Sequence, residues 1–146
     1  MQHVQNRSTT SALVLTAVLI ALATLFTMYT KIPVPGIRGY FNVGDVVIMT
    51  SALLLGRKYG AYIGAIGPAL ADLFLGYAVF VPITLVVKGI EGYLVGTVYN
   101  NKTTTSALVA AIVGGIIIVA GYFIAEYFVF DPGVAIASIV TNTIQA

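Results

Sequence analysis

Long apolar runs separated by short polar breaks dominate this chain, and ionisable residues stand inside those runs. A helix that crosses lipid needs about 20 apolar residues, and within hydrocarbon only helices and closed barrels satisfy their own backbone groups. Runs of this kind occupy residues 11–29, 61–79, 82–99 and 106–130, with shorter ones at 43–56 and from Val134 onward. Charged residues make up only 8% of the chain and mean hydropathy is +1.00, whereas ordinary soluble domains carry about 25% charged residues. The chain therefore reads as all-α, an integral membrane bundle of six transmembrane helices forming a single domain over residues 1–146. The sixth run offers 13 residues, about 20 Å as a helix, and is expected to be truncated relative to a full crossing.

The breaks between runs have identifiable chemistry. The first run is too long for a signal-peptide core and has no obvious cleavage site, so it is read as a retained span. Residues 31–39 form a loop punctuated by Pro33, Pro35, Gly36 and Gly39. Asp45 is placed to cap the second helix, and the stretch 57–60 separates the second run from the third. Pro82 suits the first turn of the fourth helix, and residues 131–133 (Asp-Pro-Gly) stop the fifth. Basic residues in short loops set orientation. With a cytoplasmic N-terminus, Arg7, Arg57, Lys58 and Lys102 fall inside, and Lys31 and Arg38 fall outside. Gly60 with Gly64, and Gly92 with Gly96, are spaced four apart. That spacing lets backbones approach closely, and both pairs are expected to pack within the bundle.

Several function classes are excluded. With no cysteine, disulfides and thiolate metal sites are impossible. The only histidine, His3, belongs to the polar leader and is read as solvated. No Ser–His–Asp set, metal-ligand cluster or Gly-rich phosphate loop with its lysine occurs, and Gly36–Gly39 reads as a flexible loop. The net charge of +2 is too small to suggest nucleic acid. An enzyme is not expected, nor a cofactor in this chain.

The embedded charges carry the functional signal, because each costs several kcal/mol in a bilayer unless paired or hydrated. Counting along helices, Asp72 and Lys88 reach the same depth from opposite chain directions, roughly 9 Å below the outer surface. Glu91 lies one turn deeper on the face of Lys88. Glu126 falls near the outer end of the fifth span with Tyr122 a turn below, and Asn142 and Gln145 share one face of the sixth. These groups converge on the outer half, while the inner halves contribute almost no polar side chains. Such a distribution describes a cup open to the exterior, with residues 31–41 covering its mouth and Tyr40 and Phe41 supplying aromatic surface. A small, flat, polar molecule suits it. The alternatives are a structural Asp72–Lys88 ion pair, a Lys88–Glu91 pair within one helix, an interfacial Glu126 reaching toward water, and interhelical hydrogen bonding by Asn142 and Gln145.

With these residues laid out, the chain resembles the substrate-binding S components of energy-coupling factor (ECF) vitamin transporters. The resemblance is carried by residues 41–45 (Phe-Asn-Val-Gly-Asp) leading into 52–56 (Ala-Leu-Leu-Leu-Gly), by Gly60, Gly64, residues 70–73 and Gly76. It continues through residues 82–85, Lys88, Gly89, Gly92, Gly96, residues 121–126 and residues 142–145. It points to the riboflavin, hydroxymethylpyrimidine and pyridoxine-like branch. It implies a vitamin pocket near the outer face, a transmembrane T component, and two cytoplasmic ATPases that hold ATP and Mg. It also implies a first helix whose small residues, Ala17 and Ala21 here, rest on the T component. Tyr40, Asp72, Lys88, Glu91, Tyr122, Glu126, Asn142 and Gln145 are then the expected pocket residues in a multi-pass cell-membrane protein. Two rivals are a stand-alone proton-coupled carrier or channel titrating Asp72 and Glu91, and an assembly subunit whose charges only lock helices.

Overall fold

A computed structural model describes residues 9–34, 40–99 and 103–146. His3, Arg7, Arg38, Lys102 and the Gly36–Gly39 stretch lie outside the described residues, and with them much of the charge asymmetry used for orientation. Six helices follow one another: α1 (Thr9–Tyr29), α2 (Asp45–Leu55), α3 (Arg57–Phe74), α4 (Phe80–Val98), α5 (Thr104–Val129) and α6 (Pro132–Gln145). Helices α1, α4 and α5 are long and apolar enough to cross a membrane, whereas α2 is a shorter apolar helix. Between α1 and α2, strands β1 (Ile32–Pro33) and β2 (Tyr40–Phe41) pair antiparallel, with Ile32 opposite Phe41 and Pro33 opposite Tyr40. This hairpin stands where only a loop is expected from the sequence.

Two boundaries differ from the sequence reading. Residues 57–60 do not break the chain; they form the first turn of α3, and the break is Gly56 alone at φ +87°. That left-handed backbone is open to glycine at little cost, so a single residue reverses the path without a loop. Helix α3 ends at Phe74 rather than near Val79, because Gly76 turns at φ +84°. Asp45 is the first residue of α2, but its side chain caps nothing. At the other end, Asp131 does cap α6, accepting from the Gly133 and Val134 amides, with Pro132 following in the first turn.

The interior is inverted relative to a water-soluble protein. Leu54, Leu108, Ile112, Phe128 and Val140 stand exposed, while Asp45, Asp72, Lys88, Glu91 and Glu126 are each no more than 4% exposed. Four of the chain's five acidic residues are thus inside. In water this would be ruinous; with lipid outside, apolar side chains lose nothing by facing outward and polar groups gain by finding one another. Helix α3 packs most extensively on α4, then α4 on α5 and α1 on α3. Both glycine pairs lie at the α3–α4 seam, as expected. A methyl group on Gly60 would come within 2.6 Å of the Gly92 carbonyl oxygen, and one on Gly96 within 2.5 Å of the Arg57 backbone. Apolar clusters fill the remaining contacts: Ala23 with Val47 and Ile63, Ala52 with Val95 and Ala110, and Phe80 with Ile83 and Val87.

Candidate functional site

The shortness of α2 creates the site. Eleven residues make about 16 Å of helix, roughly half a membrane crossing. Its first residue, Asp45, meets Lys88, which lies eight positions into α4 and therefore about 12 Å below the start of that helix. Residues 40–44 descend into the bundle, leaving a recess above the α2 N-terminus. The recess is lined from every side: Thr27 of α1, Tyr40 and Asn42 of the descending segment, Asp72 of α3, Thr84 and Lys88 of α4, Tyr122 and Glu126 of α5, and Ser138, Thr141, Asn142 and Gln145 of α6. Phe80 and Pro68 add apolar wall.

Its floor is a buried charge network. Lys88 Nζ donates to Asp45 Oδ1 and lies 3.5 Å from Glu91 Oε2. Gln145 Nε2 donates to the other Asp45 oxygen at 2.8 Å, and Gln145 Oε1 accepts from the Asn42 amide and side chain at 3.3 Å. One glutamine thus ties α6, the descending segment and α2 together. Lys88 Nζ also lies 5.7 Å from the Tyr122 ring centroid, a favourable placement for a cation on a π face.

Above the floor, Asp72 is served by a hydroxyl: Tyr40 donates to its Oδ1 at 2.6 Å. Beside it the Thr84 and Tyr122 hydroxyls share a hydrogen bond at 3.0 Å. Ser138 donates to Glu126. Among the described residues, two polar atoms on the lining have no partner, the Thr27 hydroxyl and the Asn142 side-chain nitrogen.

The roof is aromatic. Tyr40 packs on Tyr77 with centroids 4.9 Å apart, Tyr77 on Phe80 at 6.3 Å, and Phe80 on Phe130 at 5.3 Å. Lys31 Nζ lies 5.0 Å from the Tyr77 centroid and 5.9 Å from that of Tyr40. Burial, and then the Asp72 carboxyl, push the Tyr40 phenol well above its ordinary range. The protonated donor is therefore favoured in the folded chain. Its stabilising contribution is complete below the ordinary tyrosine range and disappears only as pH rises through the elevated value. Tyr40→Phe removes the bond at every pH. Measured by thermal unfolding, the loss is expected to be about 1.5–3 kcal/mol, with no difference between pH 6 and pH 9.

Seven of the eight anticipated site residues line this one recess: Tyr40, Asp72, Lys88, Tyr122, Glu126, Asn142 and Gln145. Glu91 does not; it lies behind Lys88, fully buried, as the in-helix partner of that lysine. The Asp72–Lys88 ion pair does not form, because Asp45 from the sunken start of α2 takes the lysine instead. Asp45 is hence a structural counter-charge and not a helix cap. Glu126 does not reach toward the interface but is buried against Ser138. Ala17 and Ala21 are exposed on α1. The sequence reading missed Thr27, Asn42, Thr84, Ser138 and Thr141. Helical spacing carried a signal for three of them: Thr84 precedes Lys88 by four, and Ser138, Thr141, Asn142 and Gln145 form one polar stripe. Among the described residues no three acidic or imidazole side chains gather as metal ligands.

Comparison with known proteins gives a consistent picture. The family described as "ECF-type riboflavin transporter, S component" matches residues 7–146. A protein of Pyrococcus woesei described as "Uncharacterized protein in gap 3'region" is 40% identical over 126 residues, 84% of this chain and 83% of that one. The thiamine precursor transporter HmpT of Lactococcus lactis subsp. cremoris (strain MG1363) is 33% identical over 132 residues, covering 89% of this chain and 73% of its own length.

Proposed function

Because the chain belongs to the ECF-type riboflavin transporter S component family, we propose that it is the substrate-capture subunit of an ATP-driven importer for a water-soluble vitamin or vitamin precursor. In this reading it crosses the membrane six times as one domain, with its N-terminus cytoplasmic. ATP and Mg are bound by two partner ATPases, and a transmembrane T component receives the exposed Ala17–Ala21 face of α1. Hydroxymethylpyrimidine is the favoured ligand, ahead of pyridoxine and riboflavin. The relative HmpT, a thiamine precursor transporter, supports this order.

The observation that carries the reading is convergence. Side chains from five helices and from the descending segment offer donors and acceptors to one roofed space, which is how small-molecule sites are built. A proton-coupled carrier needs polar groups through the full thickness. The lining instead stops at the Asp45–Lys88–Glu91 floor, and apolar Ala52, Val95 and Ala110 pack together in the bundle. Vesicles holding this chain alone are expected to bind the vitamin without ATP and without flux. Uptake should require the T component, the ATPases and ATP together. ATP-independent, pH-driven uptake by the chain alone would sink the proposal. Mass spectrometry of small molecules co-purifying with the chain identifies the ligand.

A further inference from the structure

Lys88, the cation on the lining, has no charge to offer a ligand. It is 2% exposed, bonded to Asp45 and 3.5 Å from Glu91. Asp72 and Glu126 stand on the walls above it, each 3% exposed, and among the described residues neither has a salt bridge. Their partners are hydroxyls: Tyr40 on Asp72 and Ser138 on Glu126. A hydroxyl offers one hydrogen bond and no charge, whereas a carboxyl withdrawn from water calls for both. Beside them the Thr27 hydroxyl, 1% exposed and without a partner among the described residues, borders the same space. Among the described residues the walls around these carboxyls carry no cation, the one free N–H donor on the lining is the Asn142 side chain, and hydroxyl and carboxyl oxygens outnumber it.

We infer that Asp72 and Glu126 are the specificity determinants of the recess, receiving an amino group on the ligand ring, so that the chain takes an amine-bearing, unphosphorylated heterocycle. This deepens the reading above and rests on the recess being the ligand site. A phosphate ester would bring two negative charges against two unpaired carboxyls, with the nearby lysine already neutralised. Lys31, held against the Tyr40 and Tyr77 rings, belongs to the roof.

Two matched ligand pairs test this on the full chain in nanodiscs by isothermal calorimetry. One is 4-amino-5-hydroxymethyl-2-methylpyrimidine against its 4-oxo analogue; the other is pyridoxamine against pyridoxine. The amine is expected to bind about 10- to 100-fold more tightly in at least one pair, the worth of a charge-assisted hydrogen bond, and its phosphate ester should bind more weakly still. In Glu126→Gln or Asp72→Asn that preference should fall below about threefold while the oxo or hydroxyl partner still binds. Retained binding shows that the variant is folded. Equal affinity within both pairs, tight binding of a phosphate ester, or binding of riboflavin alone would overturn the inference and leave the recess as the ligand site. No binding of any of these compounds would remove both.

Discussion

Replacing Lys88 with methionine is expected to lower the melting temperature of the detergent-solubilised chain by about 10 °C or more. The lysine holds Asp45 directly and Glu91 at 3.5 Å, and all three are buried. Removing it leaves two carboxyls facing each other in a low-dielectric interior. Breaking a buried pair in this way costs about 3–5 kcal/mol, far more than the lost packing of a lysine stem that methionine largely restores. The triple variant Lys88→Met, Asp45→Asn, Glu91→Gln removes charge and counter-charge together, and should recover most of the loss. A single variant that melts with the parent chain would show that this network does not hold the floor. Because Gln145 also donates to Asp45 at 2.8 Å, Gln145→Ala should destabilise in the same direction by a smaller amount, about 1.5–3 kcal/mol.

Gly92→Leu is expected to be at least as damaging, for a reason unrelated to charge. At this position α3 and α4 touch backbone to backbone, and a Cβ on Gly92 would strike the Gly60 carbonyl group. Backbone in a packed helix cannot rotate away as a side chain can, so the helices must separate along their whole seam. Overpacking usually costs about 1–3 kcal/mol, and here α4 would carry Lys88 away from Asp45 as it moved. Gly89→Ala provides the comparison on the same helix, since its Cβ would lie 3.2 Å from the Ala65 methyl, a contact relieved by a small shift. Thermal unfolding should therefore separate the two variants clearly. Equal melting temperatures would mean that the seam is looser than its geometry states.

Legibility in the sequence followed locality. Helices α4 and α5 begin and end within about two residues of their expected limits, because apolar runs, Pro82 and the Asp131 cap act over a few positions. Gly56 and Gly76 are ambiguous in the sequence. Both are turns of one or two residues whose role depends on a left-handed backbone, and glycine in a membrane helix serves packing equally well. Spacing brought Asp72, Tyr122, Glu126, Asn142 and Gln145 to one end of the bundle, since depth along a helix follows from residue count.

The partners of those residues were not legible in the same way. Depth alone matched Lys88 with Asp72, yet the lysine pairs with Asp45 across 43 positions of chain. The difference arises because the descending segment carries the start of α2 into the middle of the bundle. That displacement results from the hairpin, the Tyr40–Asp72 bond and the Gln145 clamp acting together. Composition and periodicity, being properties of contiguous residues, were enough to establish a membrane bundle with charges concealed toward one end. Which acid neutralises the lysine, and which are left facing the recess, depended on distances between segments far apart in the chain. No local pattern encodes those distances, so the identity of the unpaired carboxyls emerged only from the packed helices.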